Sequence, residues 1–189
     1  MRSVVKIGLV GPESTGKSTL GKQLAARYGG RYVAEYAREF VGSLGRPYTY
    51  EDVCHVAEVN RQEACLSAVE GQRSKVKGRE SNVEDLVFFD TELIVTKVWL
   101  DEVYGRRPEW LTEPVPEECR MDLYLVLKPD FPAEPDPLRE NTEQSTRERL
   151  FDVYLREVRM TGRAYAIVEG VGAARLACCD NSLKLLRNE

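Results

Sequence analysis

The chain has 189 residues, with 31 acidic against 27 basic side chains and a net charge of −4. This length suits one α/β domain over residues 1–189, long enough to bury a core without disulfides or a structural metal. The charge balance gives no bulk attraction to nucleic acid or anionic membranes, and no apolar stretch approaches the roughly 20 residues of a membrane span.

Apolar, β-branched runs predict five strands. In chain order they cover residues 4–10, a short strand from 31, 86–90, 122–128 and 164–170. The first run is broken by Lys6 and leads straight into a glycine turn, so it predicts a strand better than a signal peptide.

Amphipathic stretches between these runs predict helices. In chain order they cover 18–28, a helix from near Glu35, 50–70, 91–104, 142–160 and 173–187. The polar stretch 71–85 and the proline-rich stretch 129–141 predict loops. Strands that alternate with helices favour a parallel sheet covered on both faces, which is a three-layer α/β sandwich.

The five cysteines show no paired CxxC spacing, and Cys178 and Cys179 are adjacent. This spacing is unlike that of a zinc site or a disulfide framework. We therefore expect reduced thiols in a cytoplasmic protein.

The first strand is followed by GPESTGKS, which fits the G-x-x-x-x-G-K-[ST] motif at Gly11, Gly16, Lys17 and Ser18. Glycines let consecutive backbone N–H groups converge on phosphate oxygens, and the following helix adds its own N–H groups and positive dipole end. Lys17 would neutralise the β- and γ-phosphates, and Ser18 would hold Mg²⁺. The motif predicts triphosphate binding but does not separate a kinase from a GTPase, a motor or a regulatory ATPase.

Asp90 lies at the carboxyl end of a predicted buried strand, in the segment FFDTE. Ligands of open parallel sheets gather at this edge, where an acid can hold the Mg²⁺ shell or bind the acceptor hydroxyl. The alternative is that Asp90 caps the following helix, and the two roles are compatible.

The segment AEYAREF places Glu35 and Arg38 three residues apart, a spacing that also suits a surface salt bridge. The alternative is that a carboxylate here faces the γ-phosphate and acts as a general base.

The proline-rich loop carries Arg139 and is followed by Arg147 and Arg149, which suits a lid over about 129–149. Arginine forks spread the charge of a transferring phosphoryl group, and lid closure excludes water. Because Arg147 and Arg149 are two residues apart, at most one of them faces the site.

Four segments in this order, GPESTGKSTL, YVAEYAREF, FFDTELIVTKVW and EPDPLREN, resemble the nicotinamide riboside kinase domain of bacterial NadR-type proteins. The resemblance covers nearly the whole chain. It implies a P-loop kinase fold, related to nucleoside and nucleotide kinases, with strand order 2-3-1-4-5. The implied reaction transfers the γ-phosphate of ATP to the 5′-hydroxyl of nicotinamide riboside, giving nicotinamide mononucleotide in NAD biosynthesis.

The resemblance also implies ATP and Mg²⁺ as cofactors and assigns site residues. The ATP-binding residues are Gly11, Glu13, Ser14, Thr15, Gly16, Lys17, Ser18 and Thr19, with Ser18 and Asp90 at the metal. The acceptor lies near Glu35, Tyr36, Arg38 and Asp90. The catalytic residues are Lys17, Glu35, Asp90 and Arg139, with Glu35 as the base and Asp90 as the alternative base.

Two features depart from the family. Larger NadR-type proteins carry an adenylyltransferase domain and often a DNA-binding segment, and neither activity is expected of this chain. Relatives carry a tryptophan in the lid where this chain has Ala133, so Phe131 and Trp99 are the candidate rings for stacking on the nicotinamide.

Two other functions stay open, a nucleotide-dependent regulatory ATPase or NAD-status sensor and a kinase of a different nucleoside. The absence of an N/T-K-x-D stretch disfavours a GTPase switch, and the loop lacks the G-x-G-x-x-G spacing of a plain NAD-binding module. The expected partner is a small riboside, without nucleic acid or membrane, and homo-oligomerisation is left open.

Overall fold

The computed structural model describes residues 4–73, 85–134 and 141–186. Its central sheet contains β1 (Val4–Val10), β2 (Arg31–Val33), β3 (Asp85–Asp90), β4 (Leu123–Leu127) and β5 (Ala164–Val168). All pairs are parallel, and the strand order is β2-β3-β1-β4-β5. The predicted fold class and strand order are confirmed.

Seven α-helices connect and cover the described strands. They are α1 (Lys17–Tyr28), α2 (Tyr36–Ser43), α3 (Tyr50–Arg73), α4 (Leu93–Tyr104), α5 (Glu109–Thr112), α6 (Gln144–Met160) and α7 (Ala173–Leu186). The short α5 and a 3-10 helix at Glu117–Cys119 were not predicted, because so few residues carry no helical period. None of the described helices has the length and apolarity to cross a membrane.

Two apolar clusters cover the two faces of the sheet. One packs Ile7, Leu9 and Leu125 against side chains of α1 and α7. The other packs Val10 and Phe89 against side chains of α3, α4 and α6. Consecutive residues of β1, such as Leu9 and Val10, therefore pack against helices on opposite faces of the sheet, as the pleat of a strand requires. The predicted three-layer arrangement is confirmed.

The junction between β3 and α4 differs from the prediction. Thr91 has a left-handed φ of 73° and Glu92 is extended, so the helix begins at Leu93 and not at residue 91. The Glu92 carboxylate accepts the Ile94 N–H at 2.7 Å, which makes Glu92, and not Asp90, the side-chain cap of this helix. Burial raises the pKa of Glu92 to about 7.

The expectation of five reduced thiols is wrong in this structure. Cys65 on α3 and Cys119 at the end of the 3-10 helix form a disulfide, with their Cα atoms 4.2 Å apart. Packing of α3 against the unpredicted 3-10 helix brings together residues separated by 54 positions, and sequence spacing alone cannot show this contact. Cys54, Cys178 and Cys179 are free.

Alkylation of the unfolded, unreduced protein should therefore modify three of the five cysteines, and all five after reduction.

Closing a loop of this length restricts the unfolded chain, so the double variant Cys65→Ala/Cys119→Ala should lose about 2–4 kcal/mol of unfolding free energy. Urea unfolding measures this loss, with Cys54→Ala as the control. Five alkylated cysteines before reduction would contradict the pairing.

Candidate active site

The loop after β1 has a backbone that only particular residues can adopt. Gly11 has a φ of 143°, and a Cβ at this position would lie 2.6 Å from the Leu127 carbonyl oxygen. Gly16 precedes α1 in the left-handed region, at a φ of 76°. Ser14 shares that region at 55° without being glycine, so the surrounding structure must hold the loop in place.

Lys17, the first residue of α1, folds back over this loop. Its Nζ donates to the carbonyl oxygens of Gly11 and Pro12, both at 2.9 Å. The Thr15 hydroxyl also donates to the Pro12 carbonyl, at 2.9 Å. The ammonium group is thus held at the mouth of the loop, where an anion would meet it.

Arg147 on α6 is fully buried and holds the loop from its carbonyl side. Its guanidinium donates to the carbonyl oxygens of Glu13 at 3.0 Å and Ser14 at 2.9 Å. It also donates to the Phe131 carbonyl at 2.7 Å and to Gln144 Oε1 at 3.0 Å. This side chain therefore joins three segments that are distant in sequence.

Arg175 in the first turn of α7 makes a second contact of the same kind. It is 5% exposed and donates to the carbonyl oxygens of Thr15, of Gly170 at 2.7 Å and of Lys128 at 2.6 Å. Asp130 lies 3.5 Å away as its counter-ion. We call Arg147 and Arg175 the arginine clamp, because together they bind the carbonyls of residues 13–15.

The clamp has a direct consequence for ligand binding. A peptide plane is rigid, so a bound carbonyl also fixes the direction of its peptide N–H. The N–H groups of the loop are the donors that a phosphate needs.

Sequence reasoning placed Arg147 near the site but missed Arg175. The sequence feature that could have indicated Arg175 is a cation in the first turn of a predicted helix, where the helix dipole disfavours positive charge.

Asp90 lies at the end of β3, opposite Leu9 of β1, and is 1% exposed. Its Oδ2 accepts the Tyr32 hydroxyl at 2.7 Å, whereas its Oδ1 is buried with no hydrogen-bond partner in the described part of the chain. Burial raises the pKa of Tyr32; Asp90 raises it further and Ser18 lowers it by hydrogen bonding. Asp90 and Ser18 therefore converge on one phenol.

Glu35 is half-buried immediately before α2, in an extended conformation. Burial raises the pKa of this carboxyl; Lys17 opposes the shift, and the Asp90 charge adds to it. Glu35 and Lys17 line the cleft, whereas Asp90 is buried, is not among the described lining residues and acts on Glu35 through its charge.

The structure separates two residues that sequence reasoning grouped together. Arg38 lines the cleft, whereas Tyr36 is not among the described residues that line it. The Tyr36 hydroxyl instead lies 3.0 Å from His55 Nε2, and its ring stacks on Phe40 at 5.6 Å. Because Tyr36 and Arg38 are two residues apart on a helix, they face different directions.

The cleft has a volume of about 460 Å³ and extends from the loop to α4. Trp99 and Tyr48, with ring centroids 4.8 Å apart, form part of one wall. Phe131 lies on the loop side, under the Arg175 guanidinium at 4.8 Å. Ala133 lines a separate outer depression. The eight predicted ATP-binding residues all line the cleft, namely Gly11, Glu13, Ser14, Thr15, Gly16, Lys17, Ser18 and Thr19.

The predicted lid lies partly outside the described residues, and Arg139 is among the residues not described. After this gap, the Asn141 N–H donates to Glu13 Oε2 at 2.9 Å, which ties the chain to the phosphate-binding loop. Arg149 points outward and pairs with Glu102 at 2.6 Å. Of the two arginines, Arg147 faces the loop and Arg149 does not, which agrees with the prediction that at most one of them faces the site.

A family model described as an AAA domain matches residues 6–175. The chain belongs to this family. A comparison with curated proteins finds no match.

Among solved structures, a NadR protein in complex with NAD and AMP-PNP superposes with a TM-score of 0.65 at 20% identity, covering 97% of this chain and 49% of that one. A NadR protein in complex with NR gives the same TM-score and identity, with 98% and 50% covered. The chain thus spans about half the length of these proteins. The resemblance to NadR-type proteins is confirmed, and at this identity it establishes a shared fold.

A deoxyadenosine kinase from M. mycoides, with bound dCTP, superposes with a TM-score of 0.54 at 12% identity. Coverage is 96% of this chain and 100% of that one. The fold therefore matches that of a kinase over nearly all of this chain and the full length of that one.

Replacing one clamp arginine tests the role of the clamp. Arg147→Lys keeps the charge, but a single ammonium cannot reach four acceptors on three segments. Buried carbonyls are then left unpaired, so we expect a loss of about 2 kcal/mol or more of unfolding free energy and at least about tenfold weaker AMP-PNP binding. Urea unfolding and isothermal titration measure these effects.

The matched control is Arg149→Lys, two residues along the same helix and exposed, which should change stability by less than about 0.5 kcal/mol. Equal effects of the two variants would contradict the clamp.

Proposed function

We propose that this protein is an ATP-dependent kinase that transfers the γ-phosphate to the 5′-hydroxyl of a riboside. Nicotinamide riboside is the first candidate, with nicotinamide mononucleotide as the product. The observation that carries the proposal is the cleft, which continues past Lys17 and Glu35 to an aromatic wall at Trp99. An enzyme that only hydrolyses ATP needs no such second compartment.

The residues near Asp90 fit a magnesium ion. Mg²⁺ prefers oxygen ligands and keeps several waters, binding through one or two protein groups and the phosphates. Asp90 Oδ1 is an unpartnered buried oxygen in the described structure, and Ser18 supplies a hydroxyl beside the same phenol. When bound, the ion would neutralise charge on the phosphate oxygens.

The chain's own side chains supply the remaining steps. Lys17 leaves its two carbonyl partners and binds the β- and γ-phosphates. Glu35 takes the proton of the acceptor hydroxyl while that oxygen attacks the γ-phosphorus and the bond to ADP breaks. A carboxyl with a raised pKa is a better proton acceptor near neutral pH than an ordinary glutamate. Asp90 is less suited as the base, because its Oδ2 already accepts the Tyr32 hydroxyl.

Two observations support the substrate proposal. A NadR protein has been solved with NR, and its fold matches nearly the whole of this chain. Trp99 and Tyr48 offer an aromatic surface in the cleft that Glu35 also lines, which suits a flat heterocycle. Trp99 is therefore better placed than Ala133 to contact the nicotinamide ring.

An acceptor assay tests this proposal. Purified protein with ATP, Mg²⁺ and nicotinamide riboside should form one ADP for each nicotinamide mononucleotide. Lys17→Ala and Asp90→Asn should each lower kcat by about 10²–10³-fold, because each removes charge stabilisation of the transferred group. Lys184→Ala, at an exposed position on α7, is the control and should leave the rate unchanged.

If the protein phosphorylates other nucleosides and not nicotinamide riboside, then one of those nucleosides is its substrate. ATP hydrolysis at the same rate with and without every acceptor would favour the regulatory ATPase.

The proposed base gives a pH prediction. Glu35 must be ionised to accept a proton, so kcat/KM should fall as the pH drops through its raised pKa. This decline should therefore lie above the ordinary glutamate value of about 4.3. Glu35→Gln should lower kcat by about 10²–10⁴-fold and remove that decline. The exposed neighbour Glu39→Gln is the control, and an unchanged profile in Glu35→Gln would exclude Glu35 as the base.

A further inference from the structure

A second cavity of about 350 Å³ lies on the other side of α4 from the catalytic cleft. The helix is a shared wall of the two spaces. Val95 and Trp99 line the cleft, whereas Ile94 and Lys97 line the second cavity. The proposed reaction uses no residue of this second cavity.

Two polar side chains of the cavity have hydrogen-bonding capacity to spare. Asn60 on α3 is 8% exposed, and its Nδ2 has no acceptor among the described residues. Lys97 is half-buried and makes no hydrogen bond or salt bridge within the described parts of the chain; burial lowers the pKa of its ammonium, and the nearby Glu92 carboxylate opposes this shift. A buried donor without an acceptor is costly, and a half-buried ammonium gains from a charge-assisted hydrogen bond, so an anionic ligand would satisfy both groups.

The charge of the lining points in the same direction. Five cationic and three acidic side chains surround the cavity. Some of these charges are already paired, since Glu157 accepts from Arg107 at 3.1 Å and Glu117, outside the lining, pairs with Arg120 and Arg163. Of the other lining carboxylates, Glu92 accepts the Ile94 N–H at 2.7 Å and Glu113 is exposed. Cationic side chains of the lining therefore outnumber acidic ones by two.

The rest of the lining is apolar and held in place. Leu111, Ile94 and Ala64 are buried side chains of this wall. Cys119 also lines the cavity, and its disulfide to Cys65 fixes the 3-10 helix against α3. A ligand here would thus meet an apolar surface together with the Lys97 and Asn60 donors.

We propose that the second cavity binds a small organic anion, a carboxylate or phosphate ester with an apolar body, which pairs with Lys97 and Asn60. Because Lys97 and Trp99 lie on the same helix, occupancy of the cavity acts on the wall of the catalytic cleft. The site is distinct from the phosphate-binding loop and extends beyond the proposed kinase activity.

The binding test uses thermal unfolding of the whole chain with benzoate, phenyl phosphate and, as the uncharged probe, benzyl alcohol. Lys17→Ala is the background, so that binding at the phosphate loop does not contribute. We expect benzoate or phenyl phosphate at millimolar concentration to raise Tm, with the more effective of the two identifying the anion class. Benzyl alcohol should have no effect.

Matched variants locate the site. Lys97→Gln should weaken the effective anion at least about tenfold, since a charge-assisted hydrogen bond is lost. Lys97→Arg keeps the charge and should retain binding, and Asn60→Asp should weaken it by repulsion. Lys184→Gln, exposed on α7, should bind like the background. Equal binding by Lys97→Gln, no Tm shift with either anion, or an equal shift with benzyl alcohol would overturn the proposal.

Tryptophan emission tests the link across α4. The chain has two tryptophans, so Trp110→Phe leaves Trp99 as the only tryptophan, which excitation at the red edge of the absorption band selects over the tyrosines. The effective anion should change Trp99 emission in the Lys17→Ala/Trp110→Phe chain and not after addition of Lys97→Gln. Binding without a change in emission would refute the coupling. Neither readout depends on phosphoryl transfer, so the proposed kinase could fail while this site stands.

Discussion

The phosphate-binding loop keeps its shape because two buried guanidinium groups bind its carbonyl oxygens. Arg147 contacts residues 13 and 14, and Arg175 contacts residue 15. Without these partners, each buried carbonyl would cost about 1–3 kcal/mol. The left-handed Ser14 also depends on its surroundings to hold it. A loop fixed on its carbonyl side presents its N–H groups in a preorganised arrangement, which is what a bound triphosphate requires.

The same clamp connects the loop to the rest of the cleft. Arg147 comes from α6 and also binds the Phe131 carbonyl, while Arg175 comes from α7 and lies over the Phe131 ring. The segments after β4 and β5 are thereby tied to the loop after β1. The parallel sheet brings these strand ends to one edge, and Asp90 at the end of β3 joins them there. The site thus depends on the strand order of the sheet.

Much of this arrangement was predictable because it is encoded locally. A strand, a glycine-rich turn and a helix carry the phosphate loop within 25 residues of chain, and apolar runs identify the strands. Helical spacing also separated Arg147 from Arg149 correctly. The same rule, applied to Tyr36 and Arg38, predicts that their side chains face different directions, and of the two only Arg38 lines the cleft.

The remaining features depend on contacts between distant parts of the chain. Arg175 meets Thr15 across 160 residues, and Cys65 meets Cys119 across 54. Neither pair has a local pattern beyond the unusual cation at the start of α7. The cap of α4 was missed for a smaller reason, since the left-handed Thr91 shifts the helix start by two residues. The second cavity arises from packing of α3, α4 and α6, which no single segment encodes.

The central claim is that one cleft holds a triphosphate and a riboside with Glu35 between them. A crystal structure with AMP-PNP, Mg²⁺ and nicotinamide riboside tests it most directly. We expect a 5′-hydroxyl about 2.6–3.2 Å from the Glu35 carboxylate, with the heterocycle against Trp99. The same oxygen should lie about 3–3.5 Å from the γ-phosphorus. A riboside bound outside the cleft, or bound with its 5′-hydroxyl turned away from Glu35, would contradict it.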